Sequence, residues 1–190
     1  MKRIVLTGGP ASGKTTAISI LKEEYGSDIE VAIEAATLVY GGGFPRNDSS
    51  ARHIYHAQRM IYAATKELEA LAGEINPQAK LIMCDRGTLD GAVYWPYGQE
   101  DFLKNLGTDL KTEYARYYAV IHMSPPKEAK YYQNTNVRTE SLQRALELDE
   151  DFLKLWSGHP RHIVIPESND YVKKALIVRK SIKKIINGEI

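Results

Sequence analysis

Hydrophobic residues fall into two patterns that alternate along the chain. Short apolar blocks stand at residues 3–7, 81–84, 118–123 and 162–165, and a fifth at 29–35 is interrupted by Glu30 and Glu34. Blocks this short and dense fit strands covered on both faces. Between them apolar residues recur every three or four positions, which predicts helices with one buried face. The first runs over 14–25 with Ala17, Ile18 and Leu21 inward, and the second over 50–72 on Ile54, Ile61, Leu68 and Leu71. A third runs over 139–156 on Leu142, Ala145, Leu146, Phe152, Leu153 and Trp156, with Thr139 as its N-cap. The last covers 170–187, with Tyr171, Ala175, Val178, Ile182 and Ile185 inward. Strands alternating with helices predict an α/β fold, a parallel sheet with right-handed crossovers.

Glycine and proline punctuate this pattern. Gly26 stops the first helix, and Gly41-Gly42-Gly43-Phe44-Pro45 costs too much entropy to order, so residues 41–48 are expected to form a mobile loop. Residues 88–98 are aromatic and interrupted by Pro and Gly, which suggests a loop with a short helical start, followed by short helices at 99–106 and 108–115. Pro125-Pro126 ends the fourth strand; a short helix near 127–132 and the polar, turn-like stretch 133–140 come next.

Residues 8–15 read GGPASGKT, directly behind Ile4-Val5-Leu6. Glycine, four free positions, Gly-Lys and Ser or Thr make a phosphate-binding loop. In it Gly8, Gly9, Pro10, Ala11, Ser12, Gly13, Lys14, Thr15 and Thr16 would wrap an anion. Amide N–H groups of Ala11 to Thr16 would point inward at a helix start, where the helix dipole also favours negative charge. Lys14 would bridge the β- and γ-phosphates and Thr15 would offer its hydroxyl to Mg²⁺. Asp85 closes the third apolar block, where a carboxylate can hold Mg²⁺ or take a proton, unless it merely pairs with Arg86. Arg86 is itself a candidate for substrate contact. Gln58 projects from the stripe of the 50–72 helix, so its amide must meet a cleft or a buried partner, and a carboxamide can read a base or amide edge. Asp149 lies in register with Leu142, Phe152 and Trp156, and a structural pairing with an arginine is expected. His53 and His56 lack a third ligand at convincing spacing, so no zinc site is expected. Tyr94, Trp95, Tyr97, Tyr131 and Tyr132 could stack on a substrate ring, although aromatic residues are more often packed.

Charge and composition narrow the picture. Residues 1–190 are the size of one domain, and 25 basic side chains against 24 acidic ones exclude a chain built as a whole to coat nucleic acid. The single cysteine, Cys84, sits in an apolar block, which suits a reducing compartment such as the cytoplasm. No stretch approaches the length of a membrane span. Lys173, Lys174, Arg179, Lys180, Lys183 and Lys184 give the last helix a basic outer face, either solvated or in contact with nucleic acid or an anionic membrane.

TGGPASGKTT, CDRGTLDGAVYWP, IHMSPP, NTNVRTE and HPRHIVI, in this order and over nearly the whole chain, resemble the NadR and translocation-defect family of P-loop domains. That family includes the ribosylnicotinamide kinase half of an NAD-biosynthesis regulator and an animal photoreceptor protein needed for channel translocation. The resemblance implies a kinase-like, three-layer P-loop NTPase fold with sheet order 2-3-1-4-5 and ATP or GTP with Mg²⁺ as ligand. The closer likeness is to the translocation-defect branch, whose lipid-binding C-terminal domain is not expected here. The layout around Glu34 resembles that of deoxynucleoside kinases, which carry there an acid acting on the substrate hydroxyl. Similar folds also use arginines from the region of Arg138 to stabilise the transferred phosphoryl group, so residues 127–144 are expected to act as a lid, with Arg144 as a second candidate. These readings converge on γ-phosphoryl transfer from MgATP, or its hydrolysis, with an unidentified small-molecule acceptor. A nucleotide-dependent switch with little turnover is the alternative, with a kinase for nucleic-acid ends a third.

Overall fold

The computed structural model describes residues 1–47, 49–127 and 141–190. Five strands, β1 (Lys2–Thr7), β2 (Ile29–Ala32), β3 (Leu81–Asp85), β4 (Ala119–Met123) and β5 (His162–Ile165), form one parallel sheet in the order β2-β3-β1-β4-β5. This is the order and class expected of a P-loop NTPase. Successive side chains of β1 alternate faces. Ile4 and Leu6 enter a core shared with α1 (Lys14–Tyr25) and α8 (Tyr171–Ile186), where Leu21, Val178 and Ile182 are buried. Val5 enters a second core on the other face with α3 (Ala51–Ile75), α5 (Gln99–Leu106) and α7 (Leu142–Trp156), built on Tyr62, Phe102 and Trp156.

Several boundaries and faces differ from the sequence reading. β2 stops at Ala32, so Glu34 lies beyond it as the N-cap of a short helix, α2 (Ala35–Gly41). Gly41 therefore belongs to a helix, residues 42–47 are irregular, and Asp48 lies outside the described residues. On α3 the buried positions are Ala57, Gln58, Tyr62, Thr65, Glu69 and Ala72, whereas Leu71 is about half exposed. The face is turned because its neighbours take hydrogen-bonding side chains: Tyr62 donates to Glu113 at 2.6 Å, and Glu69 accepts from Tyr117 and Arg116. Ser141, not Thr139, caps α7, its hydroxyl accepting from the Arg144 N–H at 3.2 Å. Leu148 and Leu155 are buried on α7, while Leu142, Leu146 and Leu153 are only partly so. Thr139, Tyr131, Tyr132 and Arg138 lie outside the described residues. Between β3 and β4 stand α4 (Gly91–Tyr94), α5 and α6 (Leu110–Ala115), as the punctuation predicts.

Parallel register brings the carboxyl ends of β1 and β3 side by side, with Leu6 opposite Asp85. The turn leaving β1 crosses the end of β4 so closely that a Cβ on Gly8 (φ +121°) would stand 2.1 Å from the Met123 carbonyl oxygen. Gly8→Ala is therefore expected to destabilise the fold by about 2–4 kcal/mol, combining an unfavourable φ with a backbone clash. Denaturant unfolding checks this, with the midpoint falling at an unchanged slope.

Candidate functional site

The loop after β1 is shaped by three residues at positive φ: Gly8, Ala11 (φ 62°) and Gly13 (φ 92°). Gly13 is the N-cap of α1, and no side chain caps that helix start. The N–H groups of Ala11 to Thr16 accordingly find no acceptor among the described residues. Such unpaired amides at a helix N-terminus form a cradle for a multiply charged anion.

Two helices fix this cradle. Asp149 of α7 accepts from the Gly9 N–H at 2.8 Å and bonds His122 Nε2 at 2.9 Å. Its partner is thus a histidine and the loop itself, not an arginine. Lys174 of α8 is fully buried and donates to the Ser12 carbonyl at 2.6 Å and to that of Ser124. It does not belong to the basic outer face, and Arg179 on that face pairs with Glu24. Lys174 went unrecognised because it follows the exposed Lys173 in a lysine-rich helix; its one-turn offsets from Tyr171 and Val178 are the signal that it faces inward.

Lys14 Nζ lies over the loop, donating at 3.0 Å to the Gly8 and Gly9 carbonyls and to Ser12 Oγ. Thr15 is exposed at the first turn. Opposite them stands Asp85, whose carboxylate has no hydrogen bond or ion pair among the described residues. The alternative of an Asp85–Arg86 salt bridge does not hold, because Arg86, at φ 76°, turns the other way. It donates to Glu34 at 2.9 Å, to the Gly8 carbonyl at 3.2 Å and to Asp90 at 3.4 Å. Asp90 also accepts from Thr7 at 2.8 Å and from the Trp156 indole at 2.8 Å. Glu34 is thereby committed to Arg86 and to the Thr37 hydroxyl at 2.5 Å.

Lys14, Thr15, Asp85, Arg86 and Glu34 line one cleft of about 920 Å³, together with Gln58, Tyr94, Tyr171 and Arg144. The Gln58 carboxamide is buried beside the Gly91 turn, where a Cβ on Gly91 would meet its Oε1 at 3.0 Å, and it has no hydrogen-bond partner among the described residues. Trp95 is packed instead, its indole bonded to Asp101 at 2.7 Å, and Tyr97 is exposed. Among the described residues no His, Cys, Asp and Glu cluster could hold a metal unaided, and His53 and His56 are exposed on α3. The donors that are present suit Mg²⁺ carried in with phosphate oxygens: one exposed hydroxyl, Thr15, and one unpaired carboxylate, Asp85.

A family model described as an AAA domain matches residues 3–174. The chain belongs to this AAA-domain family of P-loop NTPases. No match is found among curated proteins. An AAA domain of this kind binds nucleotide and supports NTPase-type chemistry, as the cradle requires. No helix among the described residues is long and apolar enough to cross a membrane.

Electrostatics in the AAA domain's cleft are nearly balanced. Burial, then the Arg86 guanidinium, push the Lys14 ammonium down to about 7 against the pull of Asp85, Glu34 and Asp90. Burial pushes Asp85 up to about 6, with Lys14 opposing and Glu34 adding to the rise. Burial also raises Glu34, but Arg86, Thr37 and Lys14 outweigh it and hold that carboxyl below its usual range. A bound triphosphate raises the pKa of Lys14, so the ammonium's contribution to affinity is complete below about pH 7 and fades as pH rises above it. Titrating MgATP at about pH 8 should therefore show proton uptake, read as a binding enthalpy that differs between HEPES and Tris buffers. Buffer-independent enthalpy with pH-independent affinity would count against this placing of Lys14.

Proposed function

We propose that this AAA domain is a small-molecule kinase that transfers the γ-phosphoryl group of ATP, or a related triphosphate, to an acceptor hydroxyl. The observation that carries this reading is the extent of the cleft. It continues from the phosphate loop past Asp85 and Arg86 to the unpaired Gln58 carboxamide, leaving room for a second ligand that hydrolysis alone would not need. Layout and motif order similar to the NadR and translocation-defect family support the same reading, and a buried free Cys84 suits the cytoplasm.

The steps follow from the side chains. The amides of residues 11–16 and the Lys14 ammonium hold the β- and γ-phosphates, so charge moving onto the leaving oxygen meets fixed positive poles. Thr15 and Asp85 are the residues that would hold Mg²⁺, which when bound supplies further neutralisation of the phosphate oxygens. The acceptor oxygen forms a bond to the γ-phosphorus as the bond to the β-phosphate oxygen breaks, and ADP leaves. The hydroxyl proton passes to Asp85, directly or through water. Glu34 acts through Arg86, holding the guanidinium at the cleft wall rather than serving as a free base. Gln58 orients the acceptor through its amide, and Arg144 reaches the cleft from α7.

A switch reading has one specific support. Arg86 joins the Gly8 carbonyl of the phosphate loop to Glu34 at the start of α2, so a ligand in the cradle could reposition α2 and residues 42–47. Measuring ADP or GDP release with ATP and GTP, alone and with a panel of nucleosides and hydroxylated metabolites, separates the two. The kinase reading expects release that depends on an acceptor. It also expects Gln58→Ala to raise the acceptor KM about tenfold or more, as for one lost buried hydrogen bond, with nucleotide affinity unchanged. Tight nucleotide binding with no acceptor-dependent release would select the switch.

A further inference from the structure

The opposite end of the sheet holds a second concavity, separate from the phosphate loop. It has a volume of about 800 Å³ and opens between the start of β1, α6 and the turns entering β4 and β5. Lys2, Arg3, Lys111, Arg116 and Arg161 line it, and no carboxylate side chain does. Arg116 is already neutralised, 2.6 Å from Glu69 and 3.7 Å from Glu113. The others are not so matched. Lys2 Nζ donates to the Ile185 carbonyl at 2.9 Å, and Arg161 approaches the Tyr118 carbonyl at 3.5 Å; neither meets an acidic side chain among the described residues. The buried Arg3 Nε has no hydrogen-bond partner among the described residues.

These cations also crowd one ring. Lys2 Nζ stands 4.1 Å and Arg161 Cζ 4.3 Å from the Tyr118 centroid, and the Tyr118 hydroxyl donates to an Ile190 oxygen. Two positive charges on one aromatic ring repel each other, and a buried guanidinium N–H without an acceptor is costly. A bound anion offsets that repulsion and lowers the cost of the nearby unpaired guanidinium. Tyr114, Tyr117 and Tyr118 supply flat apolar walls, and Lys2 and Arg161 meet at one ring inside a concavity, which favours a compact ligand over a polymer or a membrane.

We propose that this pocket binds a small organic polyanion, a phosphorylated or polycarboxylate metabolite, at a site separate from the phosphate loop. Titrating ¹⁵N-labelled protein with pyrophosphate and, separately, with citrate reads the two sites apart. The expected result is saturable shifts at the amides of Lys2, Arg3, Tyr118 and Arg161, distinct from any at residues 8–16. Arg161→Ala, an exposed position, is expected to weaken this binding about tenfold, the loss of one charge-assisted contact, while leaving pyrophosphate shifts at the phosphate loop unchanged. Lys2→Ala should do the same. Preference for pyrophosphate over citrate assigns the ligand to phosphorylated metabolites and the reverse to polycarboxylates; both support the site. Shifts confined to residues 8–16, an absence of saturation into the millimolar range, or binding only of heparin or acidic vesicles would overturn it.

Discussion

The phosphate loop holds its open shape because two charged side chains from distant helices occupy the backbone groups that would otherwise close it. Asp149 takes the Gly9 N–H and Lys174 takes the Ser12 carbonyl. Charge-assisted hydrogen bonds contribute roughly 1.5–3 kcal/mol each, comparable to the backbone strain such a loop stores. Gly8 against the Met123 carbonyl and Gly9 against Ala145 leave no space for a Cβ, so the loop rests directly on β4 and α7. With its outer groups engaged, the inner amides of residues 11–16 are left pointing at the ligand position.

The same economy governs the cleft. Arg86 adopts a left-handed backbone conformation uncommon for a non-glycine residue, and three acceptors plus the Phe152 ring at 4.9 Å hold it there. By turning away from its sequence neighbour, it leaves Asp85 unpaired beside the loop. Below, a buried polar network joins the cleft floor to the rest of the domain: the Thr88 hydroxyl donates to Glu113 at 2.6 Å and its N–H to the Tyr117 hydroxyl at 2.8 Å, which in turn donates to Glu69 at 2.5 Å. That network sets the rotation of α3, and with it the direction of Gln58.

Much of this was legible in the sequence. The five strands stood out because a sheet covered on both faces demands dense apolar blocks, and the loop motif stood out because close approach to phosphate demands glycine. Gln58 stood out because it interrupted an apolar stripe, which left its amide facing either a cleft or a buried partner; the cleft is where it lies. The inward faces of α3 and α7 were read less well. Periodicity registers only apolar residues, and α3 buries Thr65 and Glu69 against Tyr117 and Arg116, partners that no local pattern reveals. Lys174 and Asp149 have the same origin: each is a charge whose partner on the phosphate loop lies more than a hundred residues away. Helix α2 escaped notice because Ala35 to Gly41 spans only about two turns and runs into further glycines.

Function in this cleft depends on a triphosphate seated over Lys14. Calorimetric titration of MgATP and MgGTP at about pH 6.5, where that side chain is mostly an ammonium, into wild type and Lys14→Ala addresses it directly. The expected result is saturable binding by the wild type that weakens about a hundredfold or more in the variant, with unfolding by denaturant little changed, as for the loss of a buried charge-to-phosphate contact. Equal affinity for the two proteins would contradict the account.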